Sequence, residues 1–186
     1  MIYTIGHSTR SIDDFVGLFR PVGVDLVVDI RSFPRSRANP QFNGDALAAS
    51  LAAAGIGYRH LPLLGGRRHR AKDAPPSTNT LWRVGAFRDY ADYAQTSPFR
   101  AGLAELLALA GQYRCAVMCS EAVWWRCHRR IVADYLLAAG VPVAHILTPR
   151  RLEPAGLTPG AQVHADGSVG YPAPSPAEES VPPRLP

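Results

Sequence analysis

Short apolar runs alternate with amphipathic segments along the first 150 residues of the chain. The apolar runs predict strands at 2–6, 24–30, 58–61, 114–118 and 143–147. Apolar residues at helical spacing predict helices at 12–20, 46–54, 84–95, 98–110 and 126–139. The second strand is apolar almost throughout, as strands buried on both faces of a parallel sheet are. This order predicts an α/β fold, a three-layer domain with a mainly parallel sheet of about five strands.

The composition changes where the last predicted strand ends. Nine of the 38 residues from Pro149 to Pro186 are proline. The residues Asp166-Gly167 lie between two short segments with apolar positions, and this turn pair predicts a small hairpin. We therefore divide the chain into an α/β domain at 1–149, a C-terminal extension at 150–172 that holds the hairpin, and a Pro-rich tail at 173–186 that we expect to be disordered.

Composition argues against several protein classes. The 186 residues are 47% hydrophobic and 19% charged, as in globular proteins that bury a core. No apolar run approaches the roughly 20 residues of a membrane helix, and the first residues lack the pattern of a secretory signal. Three clustered cysteines do not make a disulfide framework; they are Cys115, Cys119 and Cys127. We expect a cytoplasmic protein with no membrane partner.

The positive charge of the chain is almost entirely arginine. The formal net charge is +5, and Lys72 is the single lysine among 20 basic residues. The planar donors of arginine match phosphate and carboxylate groups. The segment from Arg31 to Lys72 holds eight basic residues and one acid, Asp45, so we expect it to attract anions.

Residues able to do chemistry follow the predicted strands. In an open parallel sheet, ligands bind beyond the carboxyl ends of the strands. Acids, bases, a thiol and arginines stand at these positions in the sequence: His7, Ser8, Arg31, Arg67, Cys119 and Glu121. Because parallel strands end at one edge, we expect these side chains to form one site.

The segment after the fourth strand allows three interpretations. In the first, Cys119 is a nucleophile activated by helix-terminal amides and arginine, although Trp125 stands where cysteine phosphatases have their arginine. In the second, a metal is bound by two cysteines and a histidine, with His7 as a further candidate. Those ligands would be Cys119, Cys127 and His128. Adjacent residues point about 100° apart on a helix, which argues against a shared metal.

The third interpretation treats the cysteines as buried apolar residues and is the one that we prefer. Glu121 and His128 then transfer protons, and Arg129 binds phosphate. The sequence assigns no metal, no cofactor and no oligomeric state.

An ordered series of motifs over residues 1–172 resembles domain-of-unknown-function family 488. The motifs are Thr4-Ile5-Gly6-His7-Ser8, Asp29-Ile30-Arg31, Leu64-Gly65-Gly66-Arg67, Cys119-Ser120-Glu121 and Cys127-His128-Arg129. Many members have proline where this chain has Trp124 and a histidine where it has Gly156. The resemblance implies a compact α/β domain and supplies no reaction. The shared motifs also hold Arg37, in the loop after the second strand.

These observations predict an enzyme that acts on a small phosphorylated or nucleotide-like anion. The proton-transfer candidates are His7, Glu121 and His128, and Cys119 or Cys127 is the nucleophile if a thiolate forms. The candidates for binding the anion are Ser8, Arg31, Arg37, Arg67 and Arg129. The alternative is a non-catalytic nucleic-acid-binding module that uses the basic segment at 31–72.

Overall fold

A six-stranded sheet forms the centre of the computed structural model, which describes residues 1–174. The strands are β1 (Ile2–Gly6), β2 (Leu26–Asp29), β3 (Gly57–His60), β4 (Cys115–Cys119), β5 (Val143–Thr148) and β6 (Arg151–Pro154). Their order in the sheet is β3-β2-β4-β1-β5-β6, and all pairs are parallel except β5 with β6. The predicted α/β fold with a mainly parallel sheet is confirmed; the sixth strand was not predicted.

Within residues 1–174, five α-helices cover the sheet. They are α1 (Ile12–Gly17), α2 (Gly44–Ala53), α3 (Gly85–Ala94), α4 (Ser97–Ala110) and α5 (Arg129–Ala138). Each lies where the apolar spacing predicts one. The last begins three residues later than predicted, because residues 124–126 form a 3-10 turn and Cys127 is extended.

Side chains that alternate across the sheet form two hydrophobic cores. On one face, Val27 of β2 packs in a cluster with residues of α1 and α2, among them Phe15 and Leu47. On the other face, Val28 packs in a cluster with residues of α3, α4 and α5, among them Ile131. A strand buried on both faces is apolar at nearly every position, which explains the run from Leu26 to Val28 that precedes the buried Asp29.

The two central strands send their chains to opposite faces. The chain leaves β1 for α1 on one face, whereas it leaves the neighbouring β4 for α5 on the other face. Such a divergence opens a crevice beyond the carboxyl ends of the two strands, which is the usual ligand position in an open α/β sheet.

The segment after β6 completes the core on the α5 side. A two-stranded hairpin, β7 (Gln162–Val163) and β8 (Val169–Gly170), lies where the sequence predicts one. The fully buried Tyr171 donates its hydroxyl to Asp134 at 2.9 Å. The predicted tail falls outside the described residues from position 175 onward. No helix within residues 1–174 has the length and apolar character to cross a bilayer.

Candidate functional site

A cleft of about 830 Å³ opens at the carboxyl ends of β1, β2 and β4. Eight of the ten site residues proposed from the sequence line it: His7, Ser8, Arg31, Arg67, Cys119, Glu121, Cys127 and His128. The other two lie elsewhere: Arg37 is exposed outside the lining, and Arg129 is 1% exposed behind the cysteines.

The loops that follow β1 and β4 are joined backbone to backbone. The amide of His7 donates to the carbonyl of Cys119, and the amide of Ser8 donates to that of Ser120, both at 2.9 Å. At Gly6, a Cβ would lie 1.7 Å from the carbonyl oxygen of Glu121, so the close approach requires glycine. Ser8 has a φ of 52°, a strained left-handed conformation of the kind found at functional sites.

His7 is a buried histidine that stays neutral. Its Nδ1 lies 2.8 Å from the carbonyl of Ser8, which can only accept, so Nδ1 donates. Nε2 then accepts from Nη1 of Arg31 at 3.3 Å, and the ring stacks on Phe42. Burial lowers the pKa of His7 to about 4, and the nearby Arg31 charge contributes.

Arg31 is held by a buried carboxylate. Its Nη2 lies 2.6 Å from Oδ2 of Asp29, and its Nε also donates to that carboxylate. Nη2 makes a second hydrogen bond, to the carbonyl of Phe42 at 2.8 Å. With Nη1 also donating to His7, one of the five N–H groups of the guanidinium is left for a ligand.

Two sulfur atoms and an imidazole nitrogen meet at the base of the cleft. Nδ1 of His128 lies 3.7 Å from Sγ of Cys127 and 3.9 Å from Sγ of Cys119. Nε2 of His128 donates to the carbonyl of Ile30 at 3.2 Å, so its Nδ1 carries the lone pair. The imidazole therefore presents an acceptor to the two sulfur atoms.

The backbone before α5 brings these three side chains together. Adjacent residues point about 100° apart only where a helix runs through both positions. Cys127 instead has extended backbone angles, with φ −127° and ψ 146°, and His128 is the N-cap of α5. Neighbouring side chains on this non-helical backbone converge.

The two buried thiols differ in acidity. Burial would raise the pKa of Cys127, but a hydrogen bond from the Cys119 thiol and the interactions with His128 and Arg129 together hold it well below its ordinary value. The same hydrogen bond, together with burial, raises the pKa of Cys119. Of the two thiols, Cys127 is therefore the one whose surroundings favour the thiolate form.

The charged side chains exposed at the mouth of the cleft are mostly basic. Arg35, Arg67 and Arg126 are exposed lining residues, and Glu121 supplies the one carboxylate among the lining residues. Phe33 is 66% exposed, and the Arg67 guanidinium lies 5.9 Å from its ring centroid. Arg35, Arg126 and Phe33 were not among the sequence candidates, because they stand in loops whose conformation has no periodic signal.

Several basic residues of the segment from 31 to 72 are paired outside the cleft lining. Arg59 pairs with Glu105 of α4 at 2.7 Å, and neither residue lines the cleft. Arg70 pairs with Asp92 at 2.8 Å, and the Arg68 guanidinium lies over the ring of Tyr93. The charges in the cleft come partly from this segment and partly from Arg126.

Comparison with known proteins places the chain in a family. No curated protein and no solved structure matches it. The model of one family, described as a domain of unknown function, matches residues 11–136, which is more than half of the chain. The matched range contains β2, β3, β4 and the sulfur–histidine cluster. The chain belongs to the family DUF488, a domain of unknown function.

Proposed function

We propose that the protein is an enzyme that binds a small phosphorylated or nucleotide-like anion in the cleft. The observation that carries this proposal is the lining itself, in which four guanidinium groups face a single carboxylate. The four are Arg31, Arg35, Arg67 and Arg126, and the carboxylate is Glu121. Arginine binds phosphate through paired donors, which a partly enclosed cleft strengthens by excluding water.

The arginines differ in how freely they can move onto a ligand. Arg31 is fixed by Asp29 and offers one N–H, so it marks a defined position at the floor. The exposed Arg35, Arg67 and Arg126 can fold over an anion from the rim. A fixed donor beneath mobile donors suits a ligand that enters and leaves.

An aromatic side chain at the rim favours a nucleotide over a bare phosphate. The ring of Phe33 is two-thirds exposed beside the cleft, where a nucleobase can stack on it. The Arg67 guanidinium near that ring can bind the phosphate of the same ligand or stack on its base.

Glu121 is the strongest candidate for proton transfer. Its carboxylate is exposed in the cleft, next to Ser120 at the end of β4. The nitrogen atoms of His7 already bond to Ser8 and Arg31, so His7 serves to position Arg31. Nε2 of His128 bonds to Ile30, and its other nitrogen faces sulfur.

A binding and turnover experiment tests this proposal. Purified protein is titrated calorimetrically with inorganic phosphate, AMP and ADP, and the mixtures are then searched for products by mass spectrometry. We expect ADP to bind more tightly than phosphate, and Arg67→Gln to weaken ADP binding about tenfold or more. The matched control is Arg20→Gln, an exposed arginine in the turn before β2, at the opposite edge of the sheet.

Turnover separates binding from catalysis. Glu121→Gln keeps the shape of the side chain and should retain ADP binding while abolishing any turnover of the bound ligand. If none of the three ligands binds at millimolar concentration, or if Arg67→Gln and Arg20→Gln behave alike, the anion site is misplaced.

The alternative is a nucleic-acid-binding module without catalysis. The exposed Phe33 and the 46% exposed Trp125, each close in sequence to a cleft arginine, favour it as a second candidate. Binding of this kind must weaken steeply with salt because counterions are released. Titration with single- and double-stranded oligonucleotides at two salt concentrations tests it, and no salt-sensitive binding at micromolar protein would remove it.

A further inference from the structure

We infer that Cys119, Cys127 and His128 bind one thiolate-preferring divalent metal ion of the zinc type at the base of the cleft. This site goes beyond the proposed anion site and does not depend on it. The three donor atoms all lie within 4.8 Å of one another. All three residues line the cleft, so an ion held by them is reachable from it.

The spacing of the donors fits tetrahedral coordination. Zinc lies about 2.3 Å from thiolate sulfur and about 2.0–2.1 Å from imidazole nitrogen, which places sulfur and nitrogen ligands about 3.6 Å apart. The observed separations between Nδ1 of His128 and the two sulfur atoms are 3.7 and 3.9 Å. Small movements of these side chains alone would bring the three donor atoms to three corners of a tetrahedron around the ion.

The imidazole is oriented as a metal ligand. A histidine that binds a metal usually donates its other N–H to a carbonyl or carboxylate, which fixes the tautomer and the ring. Nε2 of His128 makes this hydrogen bond to the carbonyl of Ile30, which leaves the Nδ1 lone pair directed at the sulfur atoms.

A buried cation supports the charge of the sulfur ligands. Nε of Arg129 donates to Sγ of Cys127 at 3.4 Å, and Arg129 is almost completely buried. The negative charge of the thiolate ligands is offset chiefly by the bound ion, and the hydrogen bond from this guanidinium further stabilises the thiolate of Cys127. Thiolate ligands also set the class of metal, since they select zinc and other soft ions over magnesium and calcium.

The absence of a side chain at Gly66 keeps the histidine nitrogen accessible. A Cβ at this position would lie 2.3 Å from Nδ1 of His128. Among the residues that the structure describes, the cluster supplies three donors. Three protein ligands and one open position are typical of catalytic zinc sites, whereas structural sites have four protein ligands. The fourth position is then available to water or to an oxygen atom of a bound anion.

Cobalt titration tests the site in the full-length protein. Reduced, chelator-treated protein is titrated with Co²⁺, which reports thiolate ligands by a charge-transfer band and tetrahedral geometry by intense visible bands. We expect both signals to saturate near one equivalent and to disappear when Zn²⁺ is added. Lack of the charge-transfer band in the folded wild-type protein would overturn the inference.

Three alanine variants identify the ligands, with the third cysteine as the matched control. Cys119→Ala and Cys127→Ala should each weaken Zn²⁺ binding more than about 100-fold. Changing a residue that only hydrogen-bonds to a ligand typically weakens binding about 10–100-fold. Cys115→Ala removes an equally buried thiol from the start of β4, outside the cluster, and should leave the affinity within about threefold. Equal losses in all three variants would mean that folding, not ligation, is affected.

A measurement on the wild-type chain keeps the inference testable if a variant does not fold. Alkylation of each cysteine is followed by mass spectrometry with Zn²⁺ or with EDTA. Zn²⁺ should slow Cys119 and Cys127 at least about tenfold more than Cys115, whose reaction reports general opening of the fold. Parallel changes at all three thiols, or a Cys119–Cys127 disulfide with no cobalt signal after reduction, would exclude the metal.

The two proposals fail separately. Arg67→Gln should weaken ADP binding about tenfold or more while the cobalt spectrum stays unchanged, because Arg67 is exposed at the rim and is not one of the three ligands. Loss of the cobalt signal with ADP binding intact would remove the metal site alone.

Discussion

Two arginines are buried in this domain, and their charges are met differently. Arg31, 5% exposed, has the carboxylate of Asp29 at 2.6 Å. Arg129, 1% exposed, forms no ion pair with a carboxylate within residues 1–174. It donates instead to the carbonyl of Glu121, the hydroxyl of Thr4 and the sulfur of Cys127.

The difference indicates where the interior needs negative charge. A buried cation without a counter-charge costs several kcal/mol, so a domain that keeps one has a compensating anion nearby. For Arg129, the group placed to supply that anion is the sulfur of Cys127, which accepts from Nε and whose pKa is held below its ordinary value. The carboxylate and the sulfur thus have equivalent electrostatic roles on the two sides of the site, and the sulfur can bind metal as well.

Each buried arginine also has a neutral histidine as its neighbour. Arg31 donates directly to Nε2 of His7. Arg129 donates to the hydroxyl of Thr4, which is hydrogen-bonded to Nδ1 of His145 at 2.7 Å. Burial lowers the pKa of both histidines to about 4, and the neighbouring arginine adds to the shift in each case.

The largest expected effect comes from breaking the ion pair between Arg31 and Asp29. Arg31→Met leaves the carboxylate of Asp29 buried without its main partner, and we expect a loss of about 3–5 kcal/mol in the free energy of unfolding. Urea unfolding at neutral pH measures it. Arg35→Met, in the same cleft but exposed, should change stability by less than about 0.5 kcal/mol. A loss below 1 kcal/mol for Arg31→Met would mean that the pair is not a structural element.

The next largest effect should come from acid, which protonates His145, the histidine that Thr4 links to Arg129. The pKa of His145 is about 4 in the folded protein and 6.5 ordinarily, so the unfolded chain binds the proton first. The stabilisation contributed by His145 is therefore complete above pH 6.5, declines as pH falls towards 4, and levels off below pH 4. His145 contributes at most about 3 kcal/mol of this decline.

Urea unfolding at a series of pH values measures this decline. His145→Asn retains a polar group beside Thr4 and removes the titration, so its stability should fall less between pH 6.5 and 4. Curves with the same slope for the variant and the wild type would assign the effect to other groups.

A methyl group at Gly66 tests the packing around His128, beside the two sulfur atoms, without removing any charge. Because the new Cβ would lie 2.3 Å from Nδ1 of His128, Gly66→Ala must displace that ring, at a cost of about 1–3 kcal/mol. The midpoint temperature of thermal unfolding and the affinity for Zn²⁺ should both decrease. Gly85→Ala, at the first residue of α3 with open space around it, should be neutral or slightly stabilising. Similar results for both variants would contradict the close contact.

The smallest effect is the coupling between Arg129 and its sulfur. A double-mutant cycle of Arg129→Met with Cys127→Ala should give an interaction energy of about 1–2 kcal/mol in metal-free protein, since each partner stabilises the other. The same cycle with Cys115→Ala should give an interaction energy near zero. Equal coupling in the two cycles would show that the sulfur of Cys127 is not the counter-charge of Arg129.

Sequence reasoning recovered the fold because periodic burial leaves a clear pattern. The strands β1, β2, β4 and β5 are apolar runs, and each helix carries apolar residues at helical spacing. The missed strand β6 reads Arg-Leu-Glu-Pro and lies at the edge of the sheet, where one side is not paired. Edge strands are commonly polar, so their sequences resemble those of loops.

The position of the cleft was predictable, and its internal arrangement was not. The rule of strand ends placed six of the ten candidates on the cleft, because parallel topology alone brings those ends together, whereas Cys127 and His128 were expected on a helix. The roles depended on the backbone from 124 to 128, where a 3-10 turn and an extended residue replace the predicted helix. That non-periodic segment turns Arg129 into the interior and directs Cys127 towards His128.

The central place of β1 constrains how the domain can assemble. The strand occupies residues 2–6, yet its partners are β4 and β5, with Tyr3 opposite Ala116 and Ala144. During synthesis, β1 leaves the ribosome long before its partners β4 and β5, and it stays unpaired until they emerge. Contacts so distant in sequence slow folding and leave an apolar segment exposed meanwhile. The domain should therefore fold late and cooperatively, once the strand that carries Cys119 has emerged.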